Sequence, residues 1–431
     1  MSYLSRLDQV PPDQPAGKAQ LVGEWIRSEW CDDFFAELRA DRPILLIPGM
    51  ALVTRYRDVI EVLSRHRDFS VRFYSGKIEP SVGPQMLGRD APVFSWRDKS
   101  VMRLALPLDD LPRVRELAAR LTDEALQRCS GETLDVVGTI GRHVPIRLCA
   151  EYFGFPGPDE ATMARWSKAI QLEIFKNLKN DPAITASSVQ SGTELAEYLK
   201  EHIAELRRSG SDPGTALGKL LRLDLPESLG FDDARLISNV SGLLIGAVET
   251  TSQAVAQVVD QILRRPDVQA VATDAARADD DAVLDPIVWE ALRFAPINPL
   301  VPRFVERDAV VAAGSDRETV LPRGTLLFAC TASAMHDERE VDQPEEFRPG
   351  RPPHHYLHFG SGHHECLGVN VASVVVPEVV KRILLLPNLS RLPNDASFVD
   401  FGGGFFPERF EVSARMPGGS PLSPMVSHGT A

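Results

Sequence analysis

One stretch, residues 232–265, limits the folds open to this chain more than any other. Apolar residues recur there with helical spacing, Asp232 is a good N-cap, and Pro266 supplies the stop. A helix of that length spans on the order of 50 Å at 1.5 Å per residue, enough to cross an entire domain. Its middle, 240–258, is apolar nearly all round, which predicts a helix buried on every side. The rest of the chain has to supply its cover.

Helical periodicity also marks 111–128, 132–153, 189–208 and 284–294, with turns at 155–158 and 211–214. Residues 18–40, carrying Leu21, Trp25, Phe34, Phe35 and Leu38, read as a broken amphipathic helix. Two short strands, 44–47 and 51–54, flank Pro48-Gly49, and a strand-rich region runs to Cys330. The acidic run 273–282 reads as a solvated loop, and Pro377 predicts a kink or end in the helix after Cys366. There is no repeat and no linker, so one large domain, 18–415, is expected between a loose segment, 1–17, and a disordered tail, 416–431.

A net charge of −13 argues against nucleic acid or an anionic membrane surface as partner. No apolar run approaches the roughly 20 residues that span a bilayer, and the first residues are polar rather than signal-like, so no membrane anchor is expected. Five scattered cysteines without a CxxC pair are neither a disulfide framework nor a zinc site, and they fit a reducing cytoplasm.

One of those cysteines stands apart. The run Phe359-Gly360-Ser361-Gly362-His363-His364-Glu365-Cys366-Leu367-Gly368 delivers Cys366 to the start of an apolar helical stretch. A helix start offers unpaired N–H groups and a positive dipole end, which favour thiolate. A thiolate with no second cysteine nearby suits a single-ligand centre such as haem; the bland alternative is a buried free cysteine. Within the long helix, Gly246-Ala247-Val248-Glu249-Thr250-Thr251 sets an acid and a hydroxyl among small residues, where a threonine can bond back one turn and leave room beside the helix.

The cysteine run, the acid–alcohol segment, Glu290-Ala291-Leu292-Arg293 and the segment 343–351 occur in an order that resembles the cytochrome P450 family, over roughly 51–413. The resemblance implies a mainly α protein with a small β region, the cytochrome P450 fold in a single large domain, holding one haem b through Cys366. It implies that Phe359, Gly360, Gly362 and Gly368 shape the haem loop, and that Thr250 stabilises dioxygen at the iron while Glu249 relays protons. Ala247 stands where the family commonly has glycine and narrows the groove by one methyl. Glu290, Arg293 and Arg351 are expected to brace the loop. His364, Arg303, Lys99 and Arg103 are the candidates for the haem propionates, Lys99 departing from the family's usual histidine. Leu243, Asn298, Leu300, Val301 and Phe405 are the candidates for the substrate pocket.

The implied reaction oxidises a small organic substrate with dioxygen and two external electrons, from a ferredoxin or flavodoxin with its reductase, in a monomer. Desaturation or coupling on the same fold stays open. A peroxide-driven peroxygenase and a non-catalytic haem-thiolate sensor are the rivals that Glu249 and Thr250 argue against.

Overall fold

The computed structural model describes residues 2–11, 13–26, 31–393, 398–402, 404 and 406–417. Three helices open the chain, α1 (Tyr3–Asp8), α2 (Pro15–Ile26) and α3 (Cys31–Asp41). Leu4, Leu7, Trp25, Phe34, Phe35 and Leu38 bury together, and the Glu37 carboxylate accepts the N–H groups of Tyr3 and Leu4, each at 2.9 Å. The expected loose segment 1–17 is therefore largely helical. Its polar composition hides the Leu4–Leu7 pair, whose i, i+3 spacing makes one short apolar face.

Strands β1 (Ile44–Ile47) and β2 (Met50–Val53) form the hairpin expected around Pro48-Gly49. They lead into α4 (Tyr56–Ser64), β3 (Phe69–Ser70) and α5 (Arg72–Val82), then α6 (Lys99–Ala105) and α7 (Leu111–Gln127). The stretch 132–153 is not one helix. It divides into β4 (Thr133–Asp135), a π-helical turn (Val136–Gly141), α8 (His143–Leu148) and a second such turn (Cys149–Phe153). Asp135 caps the first turn through Val137 N–H at 3.2 Å. Gly141 lets it approach the long helix, for a Cβ there would lie 2.6 Å from Ser252 Oγ.

After α9 (Glu160–Phe175), α10 (Pro182–Ser209) and α11 (Ala216–Leu220) comes the long helix, α12 (Asp233–Leu263). Asp232 caps it by accepting Arg235 N–H at 3.0 Å. Helices α8, α9, α10, α13 (Pro266–Ala278), α14 (Asp281–Phe294) and α16 (Val369–Leu384) pack around it, which gives the burial its composition demanded. The expected acidic loop, 273–282, is instead the end of α13 and the start of α14. Ala272, Ala275 and Ala276 face the core, and alanine's weak apolar signal concealed them. Helix α16 does not end at Pro377 but continues to Leu384: one missing ladder bond is outweighed where Val375, Val376, Val379 and Val380 are all buried.

The main sheet orders β1-β2-β8-β5-β3, with β5 (Val301–Val305) and β8 (Leu326–Ala329); β6 (Ala309–Val311) pairs with β7 (Thr319–Leu321). Helix α15 (Thr331–Met335) follows β8, and β9 (Ser390–Arg391) and β10 (Glu411–Ser413) join β4 in a three-stranded sheet. A contiguous apolar core runs from Val71 to Met416, so Met416 is packed rather than part of a tail. Residues 418–431 of the expected tail lie outside the described residues. Among the described residues no helix is long and apolar enough to cross a membrane.

Candidate active site

Backbone bonds close the cysteine run into a tight turn: Cys366 N–H donates to Phe359 O at 3.0 Å and Glu365 N–H to Gly362 O at 3.1 Å. Gly362 has φ +74°, and a Cβ there would stand 3.0 Å from the Leu63 carbonyl at the end of α4, so both conformation and space call for glycine. Lys99, at the start of α6, donates its ammonium to the carbonyls of His363, at 3.3 Å, and Glu365. His363 bonds Ser95 Oγ at 2.7 Å and stacks on His66. From the opposite side His358 Nε2 donates to Trp289 O at 2.9 Å, while Phe359 packs edge-on against the Trp289 ring. Helices α4, α6 and α14 thus pin the loop.

Cys366 is accessible, yet its thiol is pushed up by burial, with the Gly368 N–H and the Lys99 charge pulling the other way. The sulfur is exposed at its surface yet closely surrounded by protein atoms. Helix α16 begins at Val369, and the N–H of its cap residue Gly368 is the helix-start group that favours thiolate at Cys366, against the burial that opposes it. A coordinated metal is what deprotonates such a thiol.

The brace is built as expected. Arg293 donates to both oxygens of Glu290, at 2.7 and 3.1 Å, and Arg351 Nε donates to one of them at 3.2 Å. Arg348 N–H and the Tyr356 hydroxyl also donate to Glu290, at 2.8 and 3.0 Å. The remaining guanidinium N–H groups take carbonyls: Arg293 those of Met335, Pro344 and Glu346, Arg351 those of Asp342, Gln343 and Glu346. Two arginine forks therefore tie α14 to the segment that enters the loop.

On α12 a narrow stripe is open. Gly246 is exposed and Ala247, Thr250 and Thr251 are half-buried, whereas Ile245, Val248 and Ser252 are buried. The stripe borders open space, for a Cβ on Gly246 would meet nothing within 4 Å. Thr250 Oγ1 donates back to Gly246 O. Glu249 lies about 100° round the helix and is fully buried. Its carboxylate accepts Arg142 Nε at 3.0 Å and Nη2 at 3.1 Å, and Arg142 Nη2 also reaches Pro407 O at 2.8 Å. Burial pushes the Glu249 carboxyl up and Arg142 opposes it. The functional atoms of the acid and the alcohol are thus not brought together. Glu249→Gln, which removes the nearer of Arg142's two carboxylate partners and leaves Glu408 at 3.5 Å, is expected to cost about 2 kcal/mol in denaturant unfolding; an unchanged midpoint and slope would show the pair to be idle.

At the expected propionate edge the candidates divide. Arg303, on β5, is buried; Nη1 donates to Pro302 O at 2.9 Å, Nε has no partner, and among the described residues no carboxylate forms an ion pair with it. Burial lowers its pKa, with Tyr74 and Asp90 opposing. His364 Nε2 pairs with Asp90 at 2.8 Å. Lys99 spends its ammonium on the loop carbonyls, so it clamps the loop instead of presenting charge to an anion. Arg103 is exposed.

Of the pocket candidates, Leu243 is buried in the main core; Leu300 and Val301 are half-buried, Leu300 packing on the N-terminal cluster and Val301 on the cluster beside the main sheet. Asn298 is half-buried and accepts from Lys176 at 3.3 Å. Phe405 lies outside the described residues. Sequence reasoning missed Arg142, Asp90, Tyr356 and Lys176, which act on partners far along the chain; only His363, inside the run itself, stood where a motif could have shown it.

An accessible but desolvated sulfur, an enclosed helix with a groove at Gly246, and a buried arginine with an orphaned Nε are what an iron porphyrin with anionic propionates requires. The residues present fit that group.

Comparison with known proteins agrees. The cytochrome P450 family profile matches residues 174–390. Among similar chains, the mycinamicin IV hydroxylase/epoxidase of Micromonospora griseorubida is 27% identical over 79% of this chain and 82% of its own. The erythromycin C-12 hydroxylase of Saccharopolyspora erythraea is 29% identical over 81% and 86%. In fold, the cytochrome P450 CYP109Q5 of Chondromyces apiculatus superposes with TM-score 0.72, covering 91% of this chain and 97% of its own at 22% identity.

Proposed function

Because the chain belongs to the cytochrome P450 family and is a haem-thiolate monooxygenase, we propose that Cys366 would hold the iron of a haem b and that the Gly246–Thr250 groove would leave room for it. Bound there, the haem supplies dioxygen activation with two external electrons, one oxygen atom entering an organic substrate and the other leaving as water. The single observation that carries this assignment is Cys366, exposed where Cys129 is half-buried and Cys149 and Cys330 are buried, and held in a loop pinned from three helices.

The chain's own residues have distinct tasks in this reading. Gly246 and Ala247 leave room against α12. Thr250 holds a hydroxyl at the open stripe and can exchange its bond to Gly246 O for one to a ligand in the cavity, passing a proton at Oγ1. Glu249 reaches a proton path only by loosening Arg142, so its relay role belongs to a rearranged side chain. Arg303, lacking a counter-ion, holds a propionate, while Lys99 fixes the loop carbonyls.

The substrate is proposed as a small secondary metabolite, since the hydroxylase and hydroxylase/epoxidase relatives act in that chemistry. Electrons are proposed to come from a ferredoxin or flavodoxin with its reductase, in the cytoplasm. Thr250→Ala is expected to leave haem binding intact, lower product yield per electron by about tenfold, and send the balance to hydrogen peroxide. Coupled assays of reductant, product and peroxide check this; unchanged yield per electron removes Thr250 from the proton path.

A further inference from the structure

Two lysines meet the end of α9, Lys77 buried and Lys176 half-buried, and their partners differ. Lys77, from α5, pairs with Glu173 at 3.2 Å and also donates to Asn177 O at 2.7 Å and Asn180 Oδ1 at 3.0 Å. Glu173 is then saturated, for its second oxygen takes Asn177 Nδ2 at 2.5 Å and Thr185 Oγ1 at 3.0 Å. Among the described residues Lys176, which closes α9, pairs with no carboxylate. Its only hydrogen bond among the described residues goes to the neutral Asn298 Oδ1, at 3.3 Å.

The position of Asn298 says where that ammonium points. Its backbone is fixed by Thr331 Oγ1, which donates to Asn298 O at 3.2 Å, and by the adjoining bond from Ala332 N–H to Pro299 O at 3.0 Å. One residue earlier, Ile297 O accepts Gln253 Nε2 at 3.4 Å. Gln253 stands one turn beyond Thr250 on α12, so Asn298 lies beside the open stripe. The Asn298 amide nitrogen has no hydrogen bond among the described residues. The Phe175 ring, edge-on to Tyr74 at 5.6 Å, gives the same wall an apolar flank. A partly desolvated ammonium without an ion-paired partner favours a negative charge beside it.

We infer that Lys176 and Asn298 form an anion subsite of the substrate cavity, and that the substrate carries a carboxylate which accepts from the Lys176 ammonium and the Asn298 amide. This rests on the monooxygenase reading and names the class of substrate it takes. Burial alone holds Lys176 at about 8, so the ammonium is still charged at neutral pH. The carboxylate fixes one end of the molecule beside α12, and a carbon further along its apolar body is presented to the Thr250 side.

Calorimetric titration of the haem-loaded protein at pH 7 with decanoate and 4-phenylbutyrate, each against its methyl ester, tests the subsite. Each acid is expected to bind about tenfold tighter than its ester, as a charge-assisted hydrogen bond implies. In Lys176→Met that ratio should fall to about one, and Lys176→Arg should restore part of it. Because no ion pair is lost, Lys176→Met should also melt no lower than the parent. Acids no tighter than esters, a preference that survives Lys176→Met, or no binding by either acid overturns the subsite. The thiolate spectrum of the same samples is recorded separately: calorimetry does not depend on it, so failure of the haem-thiolate reading and failure of the subsite are distinguishable.

Discussion

Replacing Cys366 by serine is expected to abolish the red-shifted Soret band of the reduced, carbon monoxide-bound protein and to reduce oxygenation to background, while leaving unfolding within about 1 kcal/mol of the parent. The two halves of this expectation have separate causes. The turn is closed by the Cys366 backbone N–H, which serine retains, and the loop's other anchors lie on Lys99, Gly362, His363 and Trp289. Serine is nearly the same size, so the loop stays folded. What serine lacks is a soft, anionic, electron-donating sulfur. Cys149 and Cys330 are buried, and burial raises the Cys149 thiol strongly; Cys129 is half-buried and donates to Ala125 O at 3.3 Å. Serine at any of those three is therefore expected to leave the band in place. A Cys366→Ser protein that keeps it would mean that another group ligates the iron.

The long helix, the loop and the Glu-x-x-Arg brace were legible because each is specified locally. Asp232 and Pro266 punctuate α12, and its apolar middle can only be interior. Glu290 and Arg293 are one turn apart, so their pairing is settled by helix geometry before any tertiary contact exists. Where the reading failed, a distant contact or a weak local signal decided the outcome. Residues 132–153 break up because Asp135 caps a turn and Gly141 fits against Ser252, more than a hundred positions away in the chain. The α13 face is made of alanines, and α1 rests on two leucines and a carboxylate from α3. Glu249 shows the same limit within a motif: its neighbour Thr250 is one residue away, but Arg142 captures the carboxylate from across the fold. Lys176 had no sequence signal at all, since what distinguishes it is an absent counter-ion.

Glu290→Gln and Arg293→Ala are each expected to destabilise the protein by about 3–5 kcal/mol, the range for breaking one side of a buried ion pair. The local reason is saturation. Glu290 receives five donor groups from Arg293, Arg351, Arg348 and Tyr356, and both Arg293 and Glu290 are wholly buried, so the survivor of either change has no water to turn to. Glutamine keeps one acceptor oxygen but turns two of these donors against an NH₂ group. The double change should cost well below the sum of the single ones, because each single change already breaks the same Glu290–Arg293 pair. Denaturant unfolding of the four proteins measures that coupling, and strict additivity would show that the cluster is not one unit. The pH dependence gives an independent reading. Burial alone would raise Glu290, but the hydrogen bonds and charge of Arg293, the Arg348 N–H and Arg351 hold it below its ordinary 4.5. A carboxylate depressed by folding contributes stability that is complete above the unfolded pKa and is lost as pH falls through the lower, folded value. The parent should therefore lose stability on acidification below about pH 4.5 more steeply than Glu290→Gln, which has no proton to take up there. Since the brace holds the segment leading to Cys366, the same acid range should weaken haem retention in the parent before the global unfolding transition, and parallel loss of both would place the weak point elsewhere.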